Sequence, residues 1–185
     1  MPPAVDRTPE RSAVIAVLRR HGLSGDAISQ IWGLSREMRS RTRRRGLEHA
    51  AMVNVETGTT VGRVISGEED AVDLRLHVAA IVRDRRYVQF HTHPGNTSFS
   101  DADVAVLLSW DQIQAVGVDG TWYALSRVDG PKTPARKAAD AFLSEFNRLR
   151  DAHPDLPLRE LTHQIWLTIA DRLGLRYDRV QRSET

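Results

Sequence analysis

His91-Thr92-His93-Pro94-Gly95-Asn96-Thr97-Ser98-Phe99-Ser100-Asp101-Ala102-Asp103 is the stretch that decides how this chain is read. Tyr87-Val88-Gln89-Phe90 before it has the composition of a short strand. On the end of such a strand His91 and His93 point to the same side, because side-chain direction repeats every two residues. Two neutral imidazoles on one side can grip a metal ion. Pro94 ends the strand. Ser100 and Asp101 open a helix over Ala102 to Trp110, and a carboxylate in its first turn can supply a third ligand. Asp103 is the expected ligand; Asp101 lies nearer the cap and reaches back less readily. Three protein ligands plus a water make a catalytic zinc site with one position open to substrate. Ser100 has two readings: a plain helix N-cap, and a hydroxyl that donates to the oxyanion of a tetrahedral intermediate.

Working outward, Ala50 to Val55 reads as a largely buried strand, Glu56-Thr57-Gly58 as a turn, and Val61 to Ile65 as the returning strand. Ser66 to Asp70 is a polar loop, and 74–85 is expected to form a helix. Beyond the motif, Gln114–Val118 and Thr121–Arg127 form a hairpin around Asp119-Gly120. Pro134 to Asp151 and Leu158 to Leu173 are helical. Toward the amino terminus, Met1 to Glu10 is Pro-rich and loose. Arg11 to Arg20 and a short segment through Ile28, Ile31 and Trp32, capped by Ser24 or Asp26, are helices. Arg36 to Arg45 then holds six arginines and no aromatic residue to stack on a base, so it reads as a solvated lead-in rather than a nucleic-acid contact.

The 185 residues suit one domain with appendages. The division expected is 1–45, a helical Arg-rich lead-in; 46–130, the core; and 131–185, a C-terminal helical extension. The fold class is α/β, a curved mixed sheet flanked by helices. The absence of cysteine excludes a disulfide framework, a thiolate metal site and a cysteine nucleophile. No apolar run approaches the ~20 residues of a membrane span, and Met1 to Asp6 lacks the pattern of a signal peptide. A cytoplasmic location is the expectation. Net charge is only +2, and the basic residues are arginines apart from Lys132 and Lys137, a bias that is weak evidence for phosphate binding.

His91-Thr92-His93-Pro94 followed by Ser100-Asp101-Ala102-Asp103 resembles the JAMM motif of the JAB1/MPN/Mov34 (MPN) metalloprotease family, in its bacterial JAB-domain form. The connecting loop is slightly shorter than in the eukaryotic deubiquitinating members. The resemblance spans roughly 46–127. It implies an MPN-like fold, a Zn2+ ion on His91, His93 and Asp103, and an upstream glutamate that moves the proton of the zinc water. Glu48, Glu56, Glu68 and Glu69 are the candidates, and Glu48 is favoured because it opens the strand Ala50 to Val55. It also implies hydrolysis of a peptide or isopeptide bond after the C-terminal glycine of a ubiquitin-like protein or its conjugate, which would be the partner. The alternative is a RadC-like or phage-type JAB module in DNA-linked biology without peptidase activity, with Arg36 to Arg45 its support. The other histidines are expected elsewhere: His49 on the face opposite Glu48, His77 on a helix surface, His163 in packing.

Overall fold

The structure is a computed structural model. It describes residues 11–181 apart from 69–71, 74, 83–84, 111–112, 118–119 and 129–132. Residues 1–10, expected to be loose, and Asp119 of the expected turn fall outside the described residues.

An α/β arrangement emerges from the apolar strands. β1 (His49–Asn54) is buried along its whole length. It pairs antiparallel with β2 (Thr60–Ser66) on one side and with β3 (Tyr87–Thr92) on the other. The turn between β1 and β2 is built by Asn54, whose Oδ1 accepts the backbone N–H groups of Glu56 and Thr57 at 3.0 and 2.9 Å. Gly58 completes it with φ +71°. After β3, helix α4 (Asp101–Trp110) carries the chain across to β4 (Ile113–Gly117), which lies parallel to β3. A parallel pair needs such a crossover. β5 (Trp122–Arg127) returns antiparallel to β4.

The two faces of the sheet bury separate apolar clusters. α1 (Arg11–Arg20) and α2 (Gly25–Arg45) cover one face, where Val14, Leu18, Ile31 and Met38 meet Val53, Phe90 and Trp122. Trp32 stacks on Trp122 with centroids 5.6 Å apart. α4, α5 (Ala135–Ala152) and α6 (Leu158–Ile169) cover the other, with Leu107, Phe142, Ile165 and Trp166 packed on Tyr123 and Leu125.

Three expectations are corrected. The helix through Ile31 is not short: α2 runs to Arg45 and takes in the arginine segment. Its inward face continues through Ser35, Met38, Arg39 and Thr42, all buried. Those positions keep the helical period, but three of the four are polar, so an apolar pattern does not show it. Gly46, at φ 68°, ends the helix and donates its N–H to Thr42 O at 2.8 Å. Among the described residues of 74–85 the expected helix is a single turn, α3 (Arg75–Val78). Past it the bonds tighten to Ala80 N–H on His77 O and Ile81 N–H on Val78 O, which stops the helix. The C-terminal part is not wholly helical: β6 (Leu175–Val180) pairs antiparallel with β5 and forms a sheet edge. The strand order is therefore β2-β1-β3-β4-β5-β6. Among the described residues no helix is long and apolar enough to cross a membrane.

Candidate metal centre

β1 and β3 are in register with Ala50 opposite His91. Period-2 alternation then puts Glu48 and His91 on one face of the sheet and His49 and Thr92 on the other. The first face carries the candidate site. His91 and His93 bring their Nε2 atoms to 3.0 Å from each other. Asp103, in the first turn of α4, places Oδ1 3.1 Å from His91 Nε2 and Oδ2 3.6 Å from His93 Nε2. Ligand atoms around a tetrahedral ion with bonds of about 2.1 Å stand roughly 3.4 Å apart. The observed separations scatter around that value. Among the described residues His91, His93 and Asp103 form the group that could hold a metal ion.

The protonation chemistry of His93 and Asp103 fits as well. His93 Nδ1 lies 3.3 Å from Thr97 O and 3.2 Å from Thr97 Oγ1. An Nδ1–H donating to the carbonyl leaves the Nε2 lone pair facing the site, the tautomer a metal ligand requires. Burial, opposed in part by Asp103, pushes the His93 pKa down to about 4, so the ring is neutral near pH 7. Burial also disfavours charge on His91, but the Asp103 carboxylate and then Glu48 outweigh it and raise that pKa. Burial alone would raise Asp103; the two imidazoles and the Ser100 N–H hold it well below the usual carboxylate range. A carboxylate that stays ionised beside two imidazole nitrogens is a donor set for a borderline divalent cation.

Glu48 joins this group. Its Oε1 lies 3.3 Å from His93 Nε2, and its side chain is 8% exposed. The backbone on both sides is fixed: Glu48 N–H donates to Glu68 O at 2.7 Å and Gly67 N–H donates to Glu48 O at 2.9 Å. The competing glutamates stand apart. Glu56 is exposed in the turn and 3.7 Å from Arg85; Glu68 is exposed and meets Glu48 through its backbone; Glu69 lies outside the described residues. Ser100 is bound to Asp103, donating both its N–H (2.8 Å) and its hydroxyl (2.9 Å) to Oδ2. Donation to an oxyanion would require that hydroxyl to exchange partners.

The reverse face of the sheet locks the same strands. Thr42 of α2 puts its hydroxyl 2.6 Å from Thr92 Oγ1 and 3.1 Å from His49 Nδ1. His49 thus faces away from Glu48, as expected. His77 departs from expectation: it is buried, not on a helix surface, and its Nε2 lies 2.9 Å from Arg63 O, tying α3 to β2. His163 contacts Tyr177 OH rather than the metal group. Sequence reasoning missed Thr97, whose signal was its place four residues after His93, and Thr162 and Tyr177, which carried none.

No family model matches the chain, and no curated protein and no solved structure matches it.

Proposed function

We propose that this chain is a zinc-dependent amide hydrolase of JAMM type with an MPN-like fold. The observation that carries the reading is the meeting of His91, His93 and Asp103 with the buried carboxylate of Glu48 at one point on the sheet. The helix α4 directly after the histidine strand and the β4–β5 hairpin beyond it support the fold assignment. His91 Nε2, His93 Nε2 and an Asp103 oxygen would hold the ion. Bound zinc would lower the pKa of its water toward ~7 and polarise the scissile carbonyl. Glu48 would take a proton from the attacking water and return it to the departing nitrogen, a reading supported by its burial, which shields the carboxylate from bulk water. Asp103 is kept anionic by its two imidazole neighbours. The Ser100 hydroxyl orients Asp103 and is the nearest donor for a developing oxyanion once it lets go of that carboxylate.

The substrate class we assign is a peptide or isopeptide bond after the C-terminal glycine of a ubiquitin-like protein or its conjugate, met in the cytoplasm. The resemblance of the motif supports this choice. The alternative, a RadC-like or phage-type module acting on DNA-linked processes, rests on the exposed Arg36, Arg43, Arg44 and Arg45 of α2.

The test has two arms. Purified protein should carry about one zinc per chain, lost when His91 and His93 are both replaced by Ala. A panel of fusions bearing Gly-terminated ubiquitin-like proteins should then be cleaved, with turnover reduced ~10²-fold or more by Glu48→Gln at unchanged zinc content. Cleavage unaffected by Glu48→Gln, or zinc retained without both histidines, would sink the reading.

A further inference from the structure

Residues 94–100 join the histidine strand to the aspartate helix, so their position sets the angle between His93 and Asp103. From outside, this loop is held mostly by the end of the chain. Ser98 N–H donates to Thr162 Oγ1 at 3.0 Å, and Ser98 Oγ lies 3.0 Å from Tyr177 OH. Trp166 Nε1 donates to Phe99 O at 2.7 Å. Tyr123 OH donates to Asn96 O at 3.3 Å. Three of these anchors come from α6 and β6, and only Tyr123 from within the segment that resembles a known family. Ser98 is buried, at 1% exposure, so the bonds it makes are not replaced by water.

We infer that α6 and β6 are the positioning framework of the metal centre, with Tyr177 and Thr162 as its positioning residues. The inference rests on the reading of His91, His93 and Asp103 as metal ligands. Ser98 follows Thr97, and Thr97 faces the outer nitrogen of His93. Holding Ser98 at both its N–H and its hydroxyl fixes the Thr97 carbonyl, and that carbonyl fixes the ring plane and the direction of the His93 Nε2 lone pair. The Tyr177 hydroxyl is held in turn, 3.0 Å from His163 Nδ1. The Thr162 hydroxyl donates to Arg159 O at 3.2 Å while accepting from Ser98, so one atom ties α6 to the loop. Groups that hold the outer nitrogen of a ligating histidine tune metal affinity by about 10- to 100-fold. Here the tuning is exerted one step further out, through the loop backbone.

The experiment uses the full chain. Zn2+ dissociation constants are measured by competition with a chromophoric chelator, and the Co2+-loaded protein gives a ligand-field spectrum that reports ligand geometry. Tyr177→Phe keeps the ring and removes the hydroxyl; Thr162→Val removes the second anchor, and Thr162→Ser keeps it. Ser126→Ala is the control: it breaks the 2.7 Å contact of Ser126 with His21 Nδ1 on the opposite face of the sheet. Tyr177→Phe and Thr162→Val should weaken Zn2+ about 10-fold and alter the Co2+ spectrum. Thr162→Ser should restore both, and Ser126→Ala should lower only the melting temperature. Unchanged Zn2+ affinity and spectrum in Tyr177→Phe and Thr162→Val would overturn the inference alone. Failure of the unaltered chain to bind either ion would overturn the metal-centre reading, and the inference with it.

Discussion

Ser100 and Asp103 are bonded in both directions. The Ser100 N–H and hydroxyl donate to Asp103 Oδ2, and the Asp103 N–H donates back to Ser100 Oγ at 3.2 Å. This is a capping box with an aspartate in the third helical position. Because the cap engages Oδ2, Oδ1 is left 3.1 Å from His91. Capping α4 is therefore what aims the third candidate ligand. Ser100→Ala should cost about 1 kcal/mol of stability and also weaken zinc binding, whereas Ser100→Thr should restore both. Denaturant unfolding with and without zinc checks this. A stability loss with undisturbed zinc affinity would separate cap from ligand and refute the coupling.

His163 predicts a pH dependence. Burial, reinforced by the charge of Arg179 and partly offset by Glu160, pushes its pKa down to about 4 from 6.5. The folded chain therefore keeps the ring neutral at a pH where the unfolded chain protonates it. Between about 4 and 6.5 the unfolded state binds more protons, so stability rises with pH across that window. His163 adds nothing to the slope above it. Replacing His163 by Gln should flatten the wild-type curve of unfolding free energy between those limits, with matching slopes above about pH 7. Parallel curves throughout the window would contradict the assignment.

The parts legible in the sequence are those governed by local periods. Alternation along Tyr87 to His93 puts both histidines on one face, and Ser100 marks the start of α4. Glu48 is legible because it opens an apolar strand. The second half of α2 escapes because Ser35, Arg39 and Thr42 occupy inward positions that an apolar pattern does not register. β6 escapes because Arg179, followed by Val180, breaks the alternation after only four residues, Leu175 to Asp178; in the fold Asp178 is partnered with His21 and Arg20, and Arg179 with Glu160. Tyr177 lies 79 residues from Ser98 along the chain, and a contact of that span leaves no local trace.

Gly58 is a position where only glycine fits. Its φ is +71°, and a Cβ there would stand 2.6 Å from the Asp26 carbonyl carbon and 2.9 Å from Ala27 N, both backbone atoms at the start of α2. Gly174 also has positive φ, +66°, but a Cβ at that position would meet nothing within 4 Å. Gly174→Ala should therefore cost only the left-handed backbone strain, about 1 kcal/mol. Gly58→Ala adds displacement of α2 against the sheet and should cost about 2 kcal/mol or more. Equal losses in thermal or denaturant unfolding would show that the turn and α2 yield to one another freely.

The arginines of α2 separate the two functional readings. Arg39 is buried, and Arg41 pairs with Glu37 one turn earlier. Arg36, Arg43, Arg44 and Arg45 are exposed, and the last three fill the final turn of α2. There a cation faces the unpaired carbonyls at the negative end of the helix, each worth ~0.3–1 kcal/mol, which accounts for the charge run without a partner. Replacing Arg36, Arg43 and Arg44 by Gln should leave zinc affinity intact, since none contacts the site, and should lower stability by no more than about 1–2 kcal/mol. The unaltered protein should bind duplex DNA no more tightly than ~10⁻⁴ M at physiological salt, the weak end of non-specific binding. A nucleic-acid surface would behave differently. Affinity would fall steeply with salt, and the triple variant would flatten the plot of log affinity against log salt by roughly 0.9 for each phosphate contact removed. A micromolar, salt-sensitive affinity that the triple variant abolishes would transfer the assignment from amide hydrolysis alone to the DNA-linked reading.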